Sequence, residues 1–370
     1  MDDIKYWVAF NKIPGIGRAR YAALEAYFGS LETAWSAGPA DLRKAGLDRR
    51  SIASIQSRRP TIDPDAVLAA LSNRNVEPFT WHDPGYPDRL KQIYDRPPVI
   101  YVRGAITGQD DWGIAVVGTR NPSAYGREMA HILASELVRN GITVVSGLAR
   151  GIDSIAHQAA LEAGGRTLAV QACGLDMVYP SEHRRLADEI AESGAVISDY
   201  PLETRPRPDF FPRRNRIMSG LTLGTLVIEA DEKSGALITA SYALEHNREV
   251  FALPGNVTSS KSRGANRLIQ EGAKLVMRIE DVLEELNLKL VPEQMAMQDL
   301  IEVSGPEADL LRFLSREPVH IDEVTRQCDL PISTVSSALA MMELKGIVRQ
   351  VGAMSYVKIR ETRPAYPAPV

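Results

Sequence analysis

Cysteine is scarce: Cys173 and Cys328 are the two in 370 residues. They lie far apart and form no CxxC pair, so a disulfide framework or a zinc cluster is excluded in practice, and a reducing cytoplasm is the expected location. Long apolar runs are missing as well. No stretch approaches the roughly 18 consecutive apolar residues of a membrane span, so no membrane association is expected. The start, Met1-Asp2-Asp3-Ile4-Lys5, has neither a basic leader nor the apolar core of a signal peptide. Charge of one sign is not in excess either. Lys and Arg number 43 against 47 Asp and Glu, for a net charge of −4. That balance argues against a protein that coats nucleic acid indiscriminately, while leaving room for a local basic groove. A Gly-x-x-x-x-Gly-Lys-Ser/Thr sequence is absent, which removes the P-loop ATPases. Gly15-Ile16-Gly17 follows no strand and Gly118 lacks GxGxxG spacing, so a dinucleotide site has weak support.

What is there divides into regions. Residues 1–75 read as short helices, with 11 Lys and Arg against 8 Asp and Glu. Ile13-Pro14-Gly15-Ile16-Gly17 joins two helical patterns as in a helix-hairpin-helix (a SAM-like module), with a weaker echo at Ala40–Ile55. The glycines there permit a tight turn that aims N–H groups at a phosphate, or simply a compact packing module. Residues 76–290 alternate short apolar runs with amphipathic helical stretches. The runs include Ile114–Val117, Thr143–Val145, Leu168–Val170, Val196–Ile197, Leu226–Ile228, Val250–Leu253 and Leu275–Met277. This alternation predicts an α/β fold with a Rossmann-like, doubly wound parallel sheet. A Glu-, Gln- and Met-rich linker is expected over 291–305. Residues 306–360 read as three helices and a hairpin, a winged helix with balanced charge, and 361–370 as a flexible tail.

In such a sheet ligands lie beyond the carboxyl ends of the strands. Those ends here carry Gly118-Thr119-Arg120 and Ser146-Gly147-Leu148-Ala149-Arg150-Gly151. Glycines allow close approach, and hydroxyls and guanidinium groups suit phosphate. The densest arginine cluster follows, with Arg205, Arg207, Arg213, Arg214 and Arg216 around Phe210 and Phe211. Arginines beside aromatics are what single-strand binding uses, the cations tracking phosphates while bases stack. A solvated basic loop beside two core phenylalanines is the plainer alternative.

Several blocks in ordered succession resemble the bacterial DNA-processing protein A (DprA/Smf) family. They are Ala115–Arg120 with Ser123 and Tyr125-Gly126; Ser146–Asp153 with Ala156-His157; Gly174-Leu175-Asp176 with Tyr179-Pro180; Phe211–Ile217; Glu229-Ala230; Lys233–Ala240; and Val250–Gly255 with Gly264-Ala265-Asn266. The resemblance is dense over roughly 100–280. Cys173 departs from it, since a small apolar residue or glycine is more usual there. The resemblance implies a homodimeric protein that binds single-stranded DNA, protects incoming strands and helps load a RecA-type recombinase during natural transformation. No catalysis, cofactor or metal goes with it. The implied DNA-binding residues are Gly118, Thr119, Arg120, Ser146, Gly147, Arg150, Arg213, Arg214, Arg216 and Lys233.

Competing readings rest on other residues. Asp153 and His157 stand four apart on one helical face, a spacing that suits a metal or an acid–base pair; a structural Asp153 bonded to backbone amides is the alternative. Gly164-Gly165 with Glu229 raises nucleotide hydrolysis, although the two are far apart in sequence. The winged helix raises a transcription regulator. Its recognition segment Ile332–Leu339 has no Arg, Lys, Asn or Gln to read bases.

Overall fold

A computed structural model of the chain describes residues 3–288 and, beyond them, 310, 313–314, 319–328, 330–344, 348–350 and 354–358. The chain divides into two compact units, Met1–Lys289 and Leu290–Val370. Among the described residues no helix is long and apolar enough to cross a membrane.

The first unit is built on nine strands: β1 (Val76–Thr80), β2 (Val99–Gly104), β3 (Gly113–Val117), β4 (Thr143–Ser146), β5 (Thr167–Val170), β6 (Ala195–Ser198), β7 (Gly224–Val227), β8 (Glu249–Ala252) and β9 (Lys274–Leu275). They form one sheet in the order β1-β2-β6-β5-β4-β3-β7-β8-β9. Every residue of β3 to β7 is buried. Helices cover both faces of such strands, which is why they read as unbroken apolar runs. From β3 the chain steps outward through β4, β5 and β6. It then crosses back to β7, on the other side of β3, and goes on to β8 and β9. β3 is therefore the hinge of the topology, with Ile114 opposite both Val144 and Gly224.

The pairings from β6 to β9 are parallel, but β1–β2 and β2–β6 are antiparallel. The expected doubly wound parallel sheet is thus present, with an antiparallel edge added to it. Parallel neighbours need a long crossover, whereas β1 and β2 are joined through one four-residue helix, Asp88–Lys91, which suits an antiparallel return.

Six helices fill residues 4–72 and share the sheet's hydrophobic core. Trp7 stacks on Tyr21 with centroids 5.2 Å apart. The Tyr101 hydroxyl of β2 donates to Asn11 at 2.9 Å. The hairpin turn is closed by Gly15, whose φ of 88° belongs to the left-handed region.

In the second unit, β10 (Val319–His320), β12 (Ser355–Lys358) and β11 (Val348–Gln350) form a three-stranded antiparallel sheet. It packs with the helices Ile321–Cys328 and Ile332–Leu344 around Ile321, Val324, Val335, Leu339, Met342 and Tyr356. Two of these strands are the expected wing hairpin. The third, β10, is two residues long, too short for any periodic signal. The expected linker 291–305 and tail 361–370 lie outside the described residues, as does most of 306–318, where the first of the three expected helices falls.

Candidate nucleic-acid interface

A cleft of about 570 Å³ opens at the carboxyl edge of the sheet, where the strand order reverses between β3 and β7. At such a switch point the loops diverge and leave a crevice. The loop after β3 supplies Gly118, Thr119 and Arg120. The helix Phe210–Leu221 supplies Phe211, Arg214, Asn215 and Met218. The loop after β7 supplies Asp231 and Ser234, and Gly235 begins the helix Gly235–Glu245. Tyr179 and Asp153 complete the wall and floor.

Arg120 is exposed, and its guanidinium lies over the Phe211 ring, 5.5 Å from the centroid. Phe211 also meets Tyr179, with centroids 5.4 Å apart. An exposed cation thus stands over half-exposed aromatic faces at the mouth. Such a mouth offers charge to a phosphate and a flat surface to a base.

Beneath the mouth lies Arg214, which differs from its expected setting. The arginine-rich stretch reads from sequence as a loop, but Arg214 sits on the helix Phe210–Leu221 and is 4% exposed. Its Nη1 donates to the Gly147 carbonyl at 2.7 Å and also to the Val170 carbonyl. Burial works against the charge on Arg214, and Asp153 supports it. Asp153 accepts from the Gly147 and Ala149 amides at 3.1 and 3.4 Å, the structural role anticipated for it. Its carboxyl is held above the usual range because burial outweighs the nearby Arg214 charge.

Other expected site residues are arranged differently from a common phosphate grip. The Ser146 hydroxyl is fully buried and donates to the Val116 carbonyl at 2.6 Å, so it is spent on the sheet. Gly147 is buried, with its N–H already bonded to Asp153. Arg216 is tied to Asp199 at 2.7 Å and to the Asp95 carbonyl, and it is not among the cleft-lining residues. Arg150 is exposed but pairs with Glu182 at 2.6 Å outside the cleft wall. Arg213 and Lys233 are exposed beside the cleft-lining residues Arg214 and Ser234, without themselves lining the wall. Gly118, Thr119 and Arg120 therefore face the cleft, with Arg214 as its floor.

Tyr179, Asp231 and Ser234 also line the cleft, although the sequence reading gives them no part in the site. Asp231 and Ser234 follow the end of β7, and that position alone was a usable signal.

The competing enzymatic constellations are not assembled. His157 is fully buried, with Nδ1 2.6 Å from the Thr167 hydroxyl, and burial pushes its pKa down to about 3. Among the described residues no group of three or more His, Cys, Asp or Glu side chains could hold a metal ion. Gly164-Gly165 precedes β5 and Glu229 follows β7, so the two stand at opposite edges of the sheet.

A model of the DNA recombination-mediator protein A family matches residues 77–287, and one of the DprA winged helix domain matches 294–354. The chain belongs to the DNA recombination-mediator protein A family. Protein Smf of Synechocystis sp. is 34% identical to it, covering 95% of this chain and 98% of that one. DNA processing protein DprA of Streptococcus pneumoniae is 44% identical, covering 66% of this chain and 95% of the relative. The X-ray structure of the S. pneumoniae protein superposes with a TM-score of 0.66 at 36% identity, over 76% of this chain and 97% of that one. A structure of the Helicobacter pylori protein, described as giving insight into its single-stranded DNA binding mode, has a TM-score of 0.52 at 30% identity. It covers 57% of this chain and 95% of its own. The resemblance found in the motifs is thus confirmed as family membership.

Proposed function

We propose that this protein binds single-stranded DNA at the β3–β7 cleft without catalysis, protects the strand, and passes it to a RecA-type recombinase in natural transformation. It acts in the cytoplasm as a homodimer, without cofactor or metal. The observation that carries the reading is Arg120 poised over Phe211 at the mouth of the switch-point cleft. A guanidinium and stacked aromatics recognise what all single strands share, phosphate and exposed base faces, and read little sequence. The single-strand binding named for the H. pylori relative supports the same ligand.

Fluorescence anisotropy with labelled oligo-dT and a matched duplex, across a salt series without nucleotide or metal, tests it. The single strand should bind clearly tighter, with log affinity falling linearly in log salt as counterions are released. Equal affinity for the duplex would overturn the proposal.

A further inference from the structure

Glu229 is a buried carboxylate, 3% exposed, at the end of β7. Burying such a group is costly unless its oxygens are bonded. Both are taken by one residue rather than by a cation. The Ser123 amide donates to Oε2 at 2.8 Å and the Ser123 hydroxyl to Oε1 at 2.6 Å. The main-chain carbonyl of Glu229 accepts from the Thr119 amide at 2.7 Å. One residue therefore grips the loop after β3 at both ends, Thr119 and Ser123, and Arg120 stands between them. The Ser123 hydroxyl also accepts from the Gly126 amide at 3.0 Å, capping the helix Ala124–Arg139. A side chain at Gly126 would collide with the Glu229 carboxylate. The Thr119 end of the loop is thus fixed to the main chain just after β7, and the Ser123 end, with the start of the following helix, is fixed by the Glu229 carboxylate.

We infer that Glu229 is a positioning residue for strand binding: it sets the Thr119–Ser123 loop so that Arg120 stands at the cleft mouth. The inference rests on the cleft being the DNA site. A neutral amide keeps the shape of Glu229 but loses its charge, and its NH2 can only donate to the Ser123 hydroxyl, so Glu229→Gln replaces a charge-assisted bond with a weaker neutral one of reversed direction. The loop then samples other conformations, and Arg120 meets the phosphate less often. Generic destabilisation would act differently, because the molecules that remain folded would still make every contact.

The test uses the full chain and labelled oligo-dT, with melting temperatures recorded on the same preparations. Arg120→Ala should weaken binding by about tenfold and shrink the salt slope by about one unit. Glu229→Gln should weaken binding several-fold with a reduced slope, and should add nothing in the Arg120→Ala background. Ser123→Ala, which removes the hydroxyl bond from the other side, should repeat the pattern and carries the test if the Gln variant does not fold. Parental affinity and slope in the folded Glu229 and Ser123 variants, or effects that simply multiply with that of Arg120→Ala, would overturn the inference. No effect of Arg120→Ala itself would instead strike at the cleft reading.

Discussion

The guanidinium of Arg214 occupies the space where a side chain at position 147 would begin. A Cβ built on Gly147 would collide with it, and Arg214 Nη1 donates to the Gly147 carbonyl at 2.7 Å. The cleft floor is therefore a backbone loop wrapped around a buried cation that Asp153 also faces. Removing that cation leaves buried carbonyls and a carboxylate without it. Arg214→Ala should then lower stability by about 1–3 kcal/mol, the cost of leaving buried polar groups without their partner. Gly147→Ala should destabilise by a comparable route, since the Arg214 side chain has to shift. Thermal or urea unfolding checks both, and an unchanged midpoint for either would contradict this view of the floor.

Arg120 and Arg216 should behave oppositely. Arg120 is exposed over Phe211, so Arg120→Ala should leave stability within about 0.5 kcal/mol and cost about 1–3 kcal/mol of strand binding. Lys at 120 should restore part of it, keeping the charge but losing the planar fork. Arg216 is bonded to Asp199 and the Asp95 carbonyl. Arg216→Ala should lower the melting temperature while the folded fraction binds oligo-dT with parental affinity and slope. Affinity and melting temperature measured on the same samples separate the two behaviours.

This contrast shows where the sequence was legible and where it was not. Strands β3 to β8 stood out because a sheet covered on both faces shows as bare apolar runs such as Ile114–Val117. Their glycine- and arginine-bearing ends located the cleft. The arginines within Arg213–Arg216 could not be told apart, because successive residues on a helix turn by about 100°. Arg213 is thus exposed, Arg214 faces the cleft floor, and Arg216 turns to Asp199. A stretch read as a loop hides that rotation. Ser146 is illegible for a related reason: it ends β4 with its hydroxyl directed into the sheet, an orientation the sequence does not show. The antiparallel edge was missed because β1 and β2 carry no crossover helix as a marker.

Stability should fall in acid partly through His157. The Thr167 hydroxyl donates to the Val144 carbonyl, so it accepts from His157 Nδ1–H, and the ring is neutral in the fold. Its pKa is pushed down to about 3 by burial, whereas an unfolded histidine titrates near 6.5. Between those values the unfolded chain binds the additional proton. The contribution is therefore present above about pH 6.5 and is lost as pH falls toward 3, at about 1.4 kcal/mol per pH unit. Unfolding free energies across this range should show a shallower slope in His157→Gln than in the parent. Parallel slopes would remove His157 from the account.

A single strand bound as proposed enters the cleft against Phe211 and Tyr179. Oligonucleotides carrying 5-iodouracil, irradiated in complex with the full chain and mapped by mass spectrometry, test it most directly. Cross-links at Phe211 or Tyr179 should form and should vanish when an unlabelled single strand competes. Cross-links confined to residues outside the cleft, in a complex of full affinity, would contradict it.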